Sequence, residues 1–181
     1  FFVRPLTMVV VHEVARCKGN LQQVFNYVAN FANSEKWDPN VDTAKKISTA
    51  PGVGLGTEYE VLTVFKGIKT PMRFTTTEYV ELEKVVFRGD CPTTSTTDTI
   101  SFRSDPENNS YTLVDWHADI QLKGWRSIFM LFLKGSLQQL GQDAMAGMMK
   151  ACAVMDYAVV EAADAEGQVM VEAEDIVSTK L

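Results

Sequence analysis

Two carboxylates head the residues of this chain that could do acid–base chemistry. In the alternating stretch Ile68–Leu82, Glu78 shares a face with Phe74, and in Thr96–Arg103, Asp98 shares one with Ile100. If those faces look inward, burial raises both pKa values, and each carboxyl becomes a proton donor or acceptor suited to neutral pH. At a strand end in water each is an ordinary surface acid, and the alternation leaves both readings open. His117 stands between Asp115 and Asp119, but a period of two puts it on their polar face, as a surface histidine. His12 lies on a strand whose inward face the pattern does not assign. No nucleophile elbow is present, no spacing of His, Cys and carboxylates suggests a metal site, and no cofactor is expected. Gly52, Gly54 and Gly56 precede a strand rather than a helix, and their spacing is wrong for a dinucleotide fingerprint. They read as loop glycines supplying positive φ. Cys17, Cys91 and Cys152 are widely spaced, odd in number and without a CxxC pair, which favours free thiols in a reducing compartment.

The element that must position any site is the stretch from Trp125 to about Met155. Leu133, Leu137, Leu140, Ala144, Met148, Ala151 and Met155 fall three or four apart and make one apolar stripe. Phe129, Met145, Met149 and Cys152 widen it. A helix of about 25 residues is roughly 38 Å long and needs a broad apolar partner. Almost everything upstream reads as strand. Val9–Cys17 is a first strand. Asn20 then caps a short helix with Gln23 in a capping box, and a second helical turn through Glu35–Trp37 stops at Pro39. Strands follow at Val41–Thr49, Thr57–Lys66, Ile68–Leu82, Lys84–Gly89, Thr96–Arg103 and Tyr111–Leu122. The turn Asp105–Ser110 separates the last two. Local hairpins imply a mainly antiparallel sheet with one wet face, so the class is α+β: a long helix across a curved sheet.

The chain has 181 residues, 46% hydrophobic and 22% charged, which are ordinary globular values. Residues 1–8 read as an N-terminal extension and a poor signal peptide, 9–165 as one domain, and 166–181 as an acidic tail. The net charge of −6 is uneven. Towards the C-terminus, Asp156, Glu161, Asp164, Glu166, Glu172, Glu174 and Asp175 stand against Lys180 alone. The body is therefore neutral and offers no basic stripe for nucleic acid. The tail is a solvated appendage or a docking segment for a basic partner. No apolar run is long enough for an integral membrane segment. A cytoplasmic protein is expected, and Thr179-Lys180-Leu181 is only close to a peroxisomal signal.

Three stretches carry a family resemblance. Val24–Asn33 followed by Trp37-Asp38-Pro39 and Val41, the glycine turn Gly54–Tyr59, and Leu122–Trp125 followed by Leu137 through Lys150 resemble the SRPBCC superfamily. That superfamily comprises polyketide cyclase/dehydrase and lipid-transport proteins, START domains and pollen-allergen-like proteins. The resemblance covers about residues 9–152. It implies a helix-grip fold, a seven-stranded antiparallel sheet wrapped on a long C-terminal helix around an apolar cavity.

Strand parity points Tyr59, Val61, Phe74, Phe87, Ile100, Phe102, Val114 and Trp116 towards the helix, opposite Leu140, Met145, Met148 and Met149. The resemblance puts Phe31 and Trp37 at the pocket mouth. These residues are the expected ligand-binding set; taken one by one, each is equally readable as plain core. The leading functional expectation is binding or transport of an apolar small molecule, such as a lipid, sterol or polyketide-like compound. The alternatives are a cyclase or dehydratase moving protons through Glu78 or Asp98, and a protein-interaction module acting through the tail.

Overall fold

The alternation of Met8–Lys18 builds strand β1 of the computed structural model, which describes residues 8–129 and 132–155. The expected extension (apart from Met8), the acidic tail and the Thr179-Lys180-Leu181 terminus lie outside the described residues. Val9, Val11, Ala15 and Cys17 face inward and are buried, while His12, Val14 and Arg16 face water. Gly19 turns the chain at φ 124°, a conformation a side chain would resist. Asn20 then caps helix α1 (Leu21–Ala29): its side chain accepts from the Gln23 amide and Gln23 reaches back, satisfying two orphan donors. A 3-10 turn at Phe31–Asn33 leads into α2 (Ser34–Trp37).

The chain then zigzags through β2 (Val41–Lys46), β3 (Glu58–Phe65), β4 (Ile68–Val80), β5 (Lys84–Asp90), β6 (Thr94–Ser104) and β7 (Tyr111–Leu122). The sheet order is β1-β7-β6-β5-β4-β3-β2, antiparallel throughout. Lys66 and Gly67 close the β3–β4 hairpin with φ of 49° and 78°, the left-handed pair that matches strand twist in a two-residue turn. Pro71 sits within β4 without loss, because β5 pairs only from Arg73 onward and that amide side faces no neighbour. A register shift between Thr76 and Glu78 interrupts β4. The extra residue reverses the alternation, so Tyr79 turns inward against Phe25 while Glu78 turns out.

The closing helix starts later than expected. Gly124–Phe129 form a 3-10 turn, and Trp125 and Ile128 are exposed, because a three-residue period cannot stay in phase with the apolar stripe. Residues 132–155 are the long helix α3. Its stripe of Leu137, Ala144, Met145, Met148 and Cys152 is buried on the concave face of the sheet, each large side chain contributing about 1.5–3 kcal/mol of apolar burial.

The two ends of α3 sit at different heights. A β-carbon at Gly141 would overlap Val11 Cγ1, and one at Gly147 would overlap the carbonyl oxygen of Trp37. Glycine thus brings the second half of α3 down onto β1 and α2, where Cys152 and Cys17 hydrogen-bond within the core. In the first half, Leu133, Leu137 and Leu140 stand off the sheet, and the space beneath them is the cavity.

Candidate functional site

The cavity has a volume of about 450 Å³, within the roughly 300–1,000 Å³ of ordinary small-molecule sites. Leu133, Leu137 and Leu140 of α3 form its roof. Inward residues of four strands make an apolar floor, among them Val61, Met72, Phe74, Ile100 and Trp116. Phe74 can lie flat across β5 because Gly89 is its direct partner there: a β-carbon at that position would stand 2.5 Å from the ring. Ile68 both lines the cavity and is 68% exposed, which puts the opening at the β3–β4 hairpin, beside Arg126 of the 3-10 turn.

A polar strip crosses this apolar space. Thr94, Thr96 and Asp98 project inward from alternate positions of β6, and Thr63 and Thr70 lie on the facing strands. Asp98 is 6% exposed and accepts a hydrogen bond from Thr96 Oγ1 at 3.1 Å. Burial pushes its pKa up to about 7, against the opposing pull of hydrogen bonds from Thr96 and Trp116, since an apolar surrounding disfavours the charged form. The negative charge of Asp38 adds to the rise. Asp38 is itself raised by burial, although the amide N–H and side-chain NH₂ of Asn40 donate to its Oδ1 at 2.8 and 2.9 Å. The Trp37 indole N–H is buried and has no acceptor among the described residues. The site therefore combines an apolar envelope with hydroxyl groups and two carboxyls whose charged forms are disfavoured.

Of the residues assigned to the cavity from strand and helix parity, Phe31, Trp37, Val61, Phe74, Ile100, Trp116 and Leu140 line it. The others occupy different places. Tyr59 and Phe87 pack with Phe31 in an aromatic cluster, with the Phe31 and Phe87 rings stacked at 4.3 Å. Phe102 meets Phe25 edge to face at 5.1 Å. Val114, Met145 and Met148 are fully packed core, and Met149 is 39% exposed. Parity gives the inward face, but α1 and the 3-10 turn after it plug half of the concavity, and the methionine-rich half of α3 is the half pressed onto the sheet. Of the two candidate acids, Asp98 is in the cavity. Glu78 is outside it, paired with Lys84 Nζ at 2.7 Å, because the bulge in β4 reverses its side. Sequence reasoning finds Asp98 but misses the threonines of the strip, although their signal is present: Thr94 and Thr96 occupy the same alternate positions as Asp98, Ile100 and Phe102.

The profile of a family described as polyketide cyclase / dehydrase and lipid transport matches residues 8–153. No curated protein matches the sequence significantly. Among solved structures, the chain is similar to TTHA0849 from Thermus thermophilus, with a TM-score of 0.65 and 16% identity over 83% of this chain and 98% of that one. It is also similar to the ZhuI aromatase/cyclase from Streptomyces sp. R1128, with a TM-score of 0.64 and 8% identity over 84% and 96%. A START superfamily protein from Mycobacterium smegmatis gives 0.58 and 12% over 78% and 92%. At these identities the likeness is one of fold.

Proposed function

Because the chain belongs to the polyketide cyclase / dehydrase and lipid transport family, we propose that it binds an apolar small molecule bearing a few hydroxyl or carbonyl groups in the cavity under α3. The observation that carries this reading is the space of about 450 Å³ itself, walled mainly by apolar side chains and crossed by one polar strip. Filling it displaces about fifteen waters at roughly 30 Å³ each and removes apolar surface on both partners from water, at about 25 cal/mol per Å². Thr94, Thr96 and Asp98 then favour a ligand whose polar groups fall along one edge, since a purely hydrocarbon ligand adds nothing to the few hydrogen bonds these groups make among themselves and their neighbours.

Native mass spectrometry of the purified protein, followed by organic extraction, tests the reading directly. One equivalent of a co-purifying apolar compound, or one-to-one uptake of a fluorescent apolar probe lost in Trp116→Ala, is the expected result. A protein that carries nothing and takes up no probe overturns it.

Asp98 favours a second reading, acid–base catalysis on a polyketide-like substrate. A carboxyl with a pKa of about 7 inside the cavity can both give and take a proton near neutral pH. Turnover abolished in Asp98→Asn with binding retained supports it; turnover unchanged in that variant excludes Asp98. Among the described residues no helix is long and apolar enough to cross a membrane. The three unpaired, buried cysteines support a cytoplasmic setting. The neutral body argues against a nucleic-acid partner.

A further inference from the structure

On the opposite face of the sheet from the cavity, β1 and β7 bring together residues from the two ends of the sheet's sequence. His12 is the direct cross-strand partner of His117, and Asp115 lies two residues before His117 on the same outward face. The two imidazole rings stack with centroids 3.8 Å apart and planes 16° from parallel. Both Nε2 atoms point to one carboxylate oxygen: His12 Nε2 is 3.1 Å and His117 Nε2 is 3.4 Å from Asp115 Oδ1. We infer that His12, His117 and Asp115 form a binding site for one divalent transition-metal ion of the zinc class.

The nitrogen–oxygen distances, the shorter of them a His12–Asp115 hydrogen bond, also fit a coordination shell. Zinc bonds of about 2.0–2.1 Å to nitrogen and oxygen in a tetrahedron put neighbouring ligand atoms about 3.3 Å apart. The two nitrogen–oxygen separations bracket that value, and all three ligand atoms lie within 4.8 Å of one another. The rings must splay out of their stack to aim both Nε2 lone pairs at one ion. The side chains of His12, His117 and Asp115 are 48%, 50% and 41% exposed, so the ion has a direct path from solvent and water completes its shell. Two imidazoles and one carboxylate suit zinc, copper or nickel and disfavour magnesium or calcium, which prefer oxygen ligands. Thr99 and Ser101 of β6 stand opposite His117 and Asp115 in register on the same outward face, where their hydroxyls can support the ligands. Because β1 is the edge of the sheet, an ion here clamps the edge strand to its neighbour without entering the cavity.

Spacing along the chain hides such a site, since the usual signature requires ligands close in sequence. The test is isothermal titration of zinc chloride into the full chain after EDTA treatment and dialysis. The expected result is one equivalent bound in the micromolar range or tighter, with no heat from magnesium. Affinity should fall more than about tenfold in His12→Gln and His117→Gln, both of which keep the wild-type melting temperature in EDTA. Copper(II) in place of zinc gives an independent readout, because its paramagnetic resonance spectrum should show coupling to two imidazole nitrogens that is lost in the double variant. Failure of the wild type to bind zinc overturns the inference. So does zinc binding undiminished in the double variant, which assigns the ion to other groups of the chain.

Discussion

Replacing Asp98 by Asn removes one ionisation from the cavity while keeping the shape of the side chain and its hydrogen bond from Thr96. The carboxyl moves from 3.8 in its ordinary state to about 7 in the folded protein. A raised acid binds more protons when folded than when unfolded, so stability falls as pH rises between those two values and levels off above the higher one. At about 1.36 kcal/mol per unit, the full penalty is about 4 kcal/mol. Of this, about 2.5 kcal/mol develops between pH 5 and pH 8. The amide variant carries no such penalty. Urea unfolding of both proteins at pH 5 and pH 8 should therefore show Asp98→Asn gaining about 2.5 kcal/mol on the wild type across that interval, or about 5–10 °C in Tm for a domain of this size. Asp38 titrates in both proteins, so most of its contribution cancels in the difference. A difference that stays constant with pH to within about 0.5 kcal/mol, the size of an ordinary surface effect, would mean that water reaches Asp98 freely and that the cavity wall around it is not closed.

Three other expectations concern packing and binding. Gly135→Ala should stabilise the protein by about 0.5–1 kcal/mol through helix propensity. Gly147→Ala should instead destabilise it by about 1–3 kcal/mol or more, as overpacking does, because its β-carbon has the Trp37 carbonyl in its place; thermal unfolding of the pair gives opposite signs if α3 is seated as described. Asn20→Ala should cost about 1 kcal/mol by removing the cap of α1, read by urea titration, with Asn20→Gly losing much less. Binding of an apolar probe that needs a neutral Asp98 should weaken about tenfold per pH unit above the carboxyl's pKa of about 7, and fluorescence titration of Asp98→Asn should show no such trend.

How far the sequence can be read depends on whether a feature is periodic. Alternation in β3, β6 and β7 assigns the inward residues directly, and the stripe in α3 names the partner they face. Glu78 is misplaced by one inserted residue, since a bulge at Thr77 leaves no mark among three consecutive threonines yet reverses every side chain after it. The cavity's position is not legible for a different reason. Periodicity gives the inner face of the sheet but not the height of the helix above it, and that height is decided by Gly141 and Gly147 against Val11 and Trp37. The methionine-rich half of α3 is accordingly the tightly packed half.

The seating of α3 has a further consequence for how cavity size can vary. Held at Gly141 and Gly147, the helix is a cantilever, and Leu133 is about 12 Å from Gly141 at roughly 1.5 Å per residue. A tilt of roughly 5° about the seated end raises the roof at Leu133 by about 1 Å and leaves the glycine contacts almost unmoved. Room for a bulkier ligand is then gained by leverage at two small residues outside the cavity wall, with every wall residue unchanged.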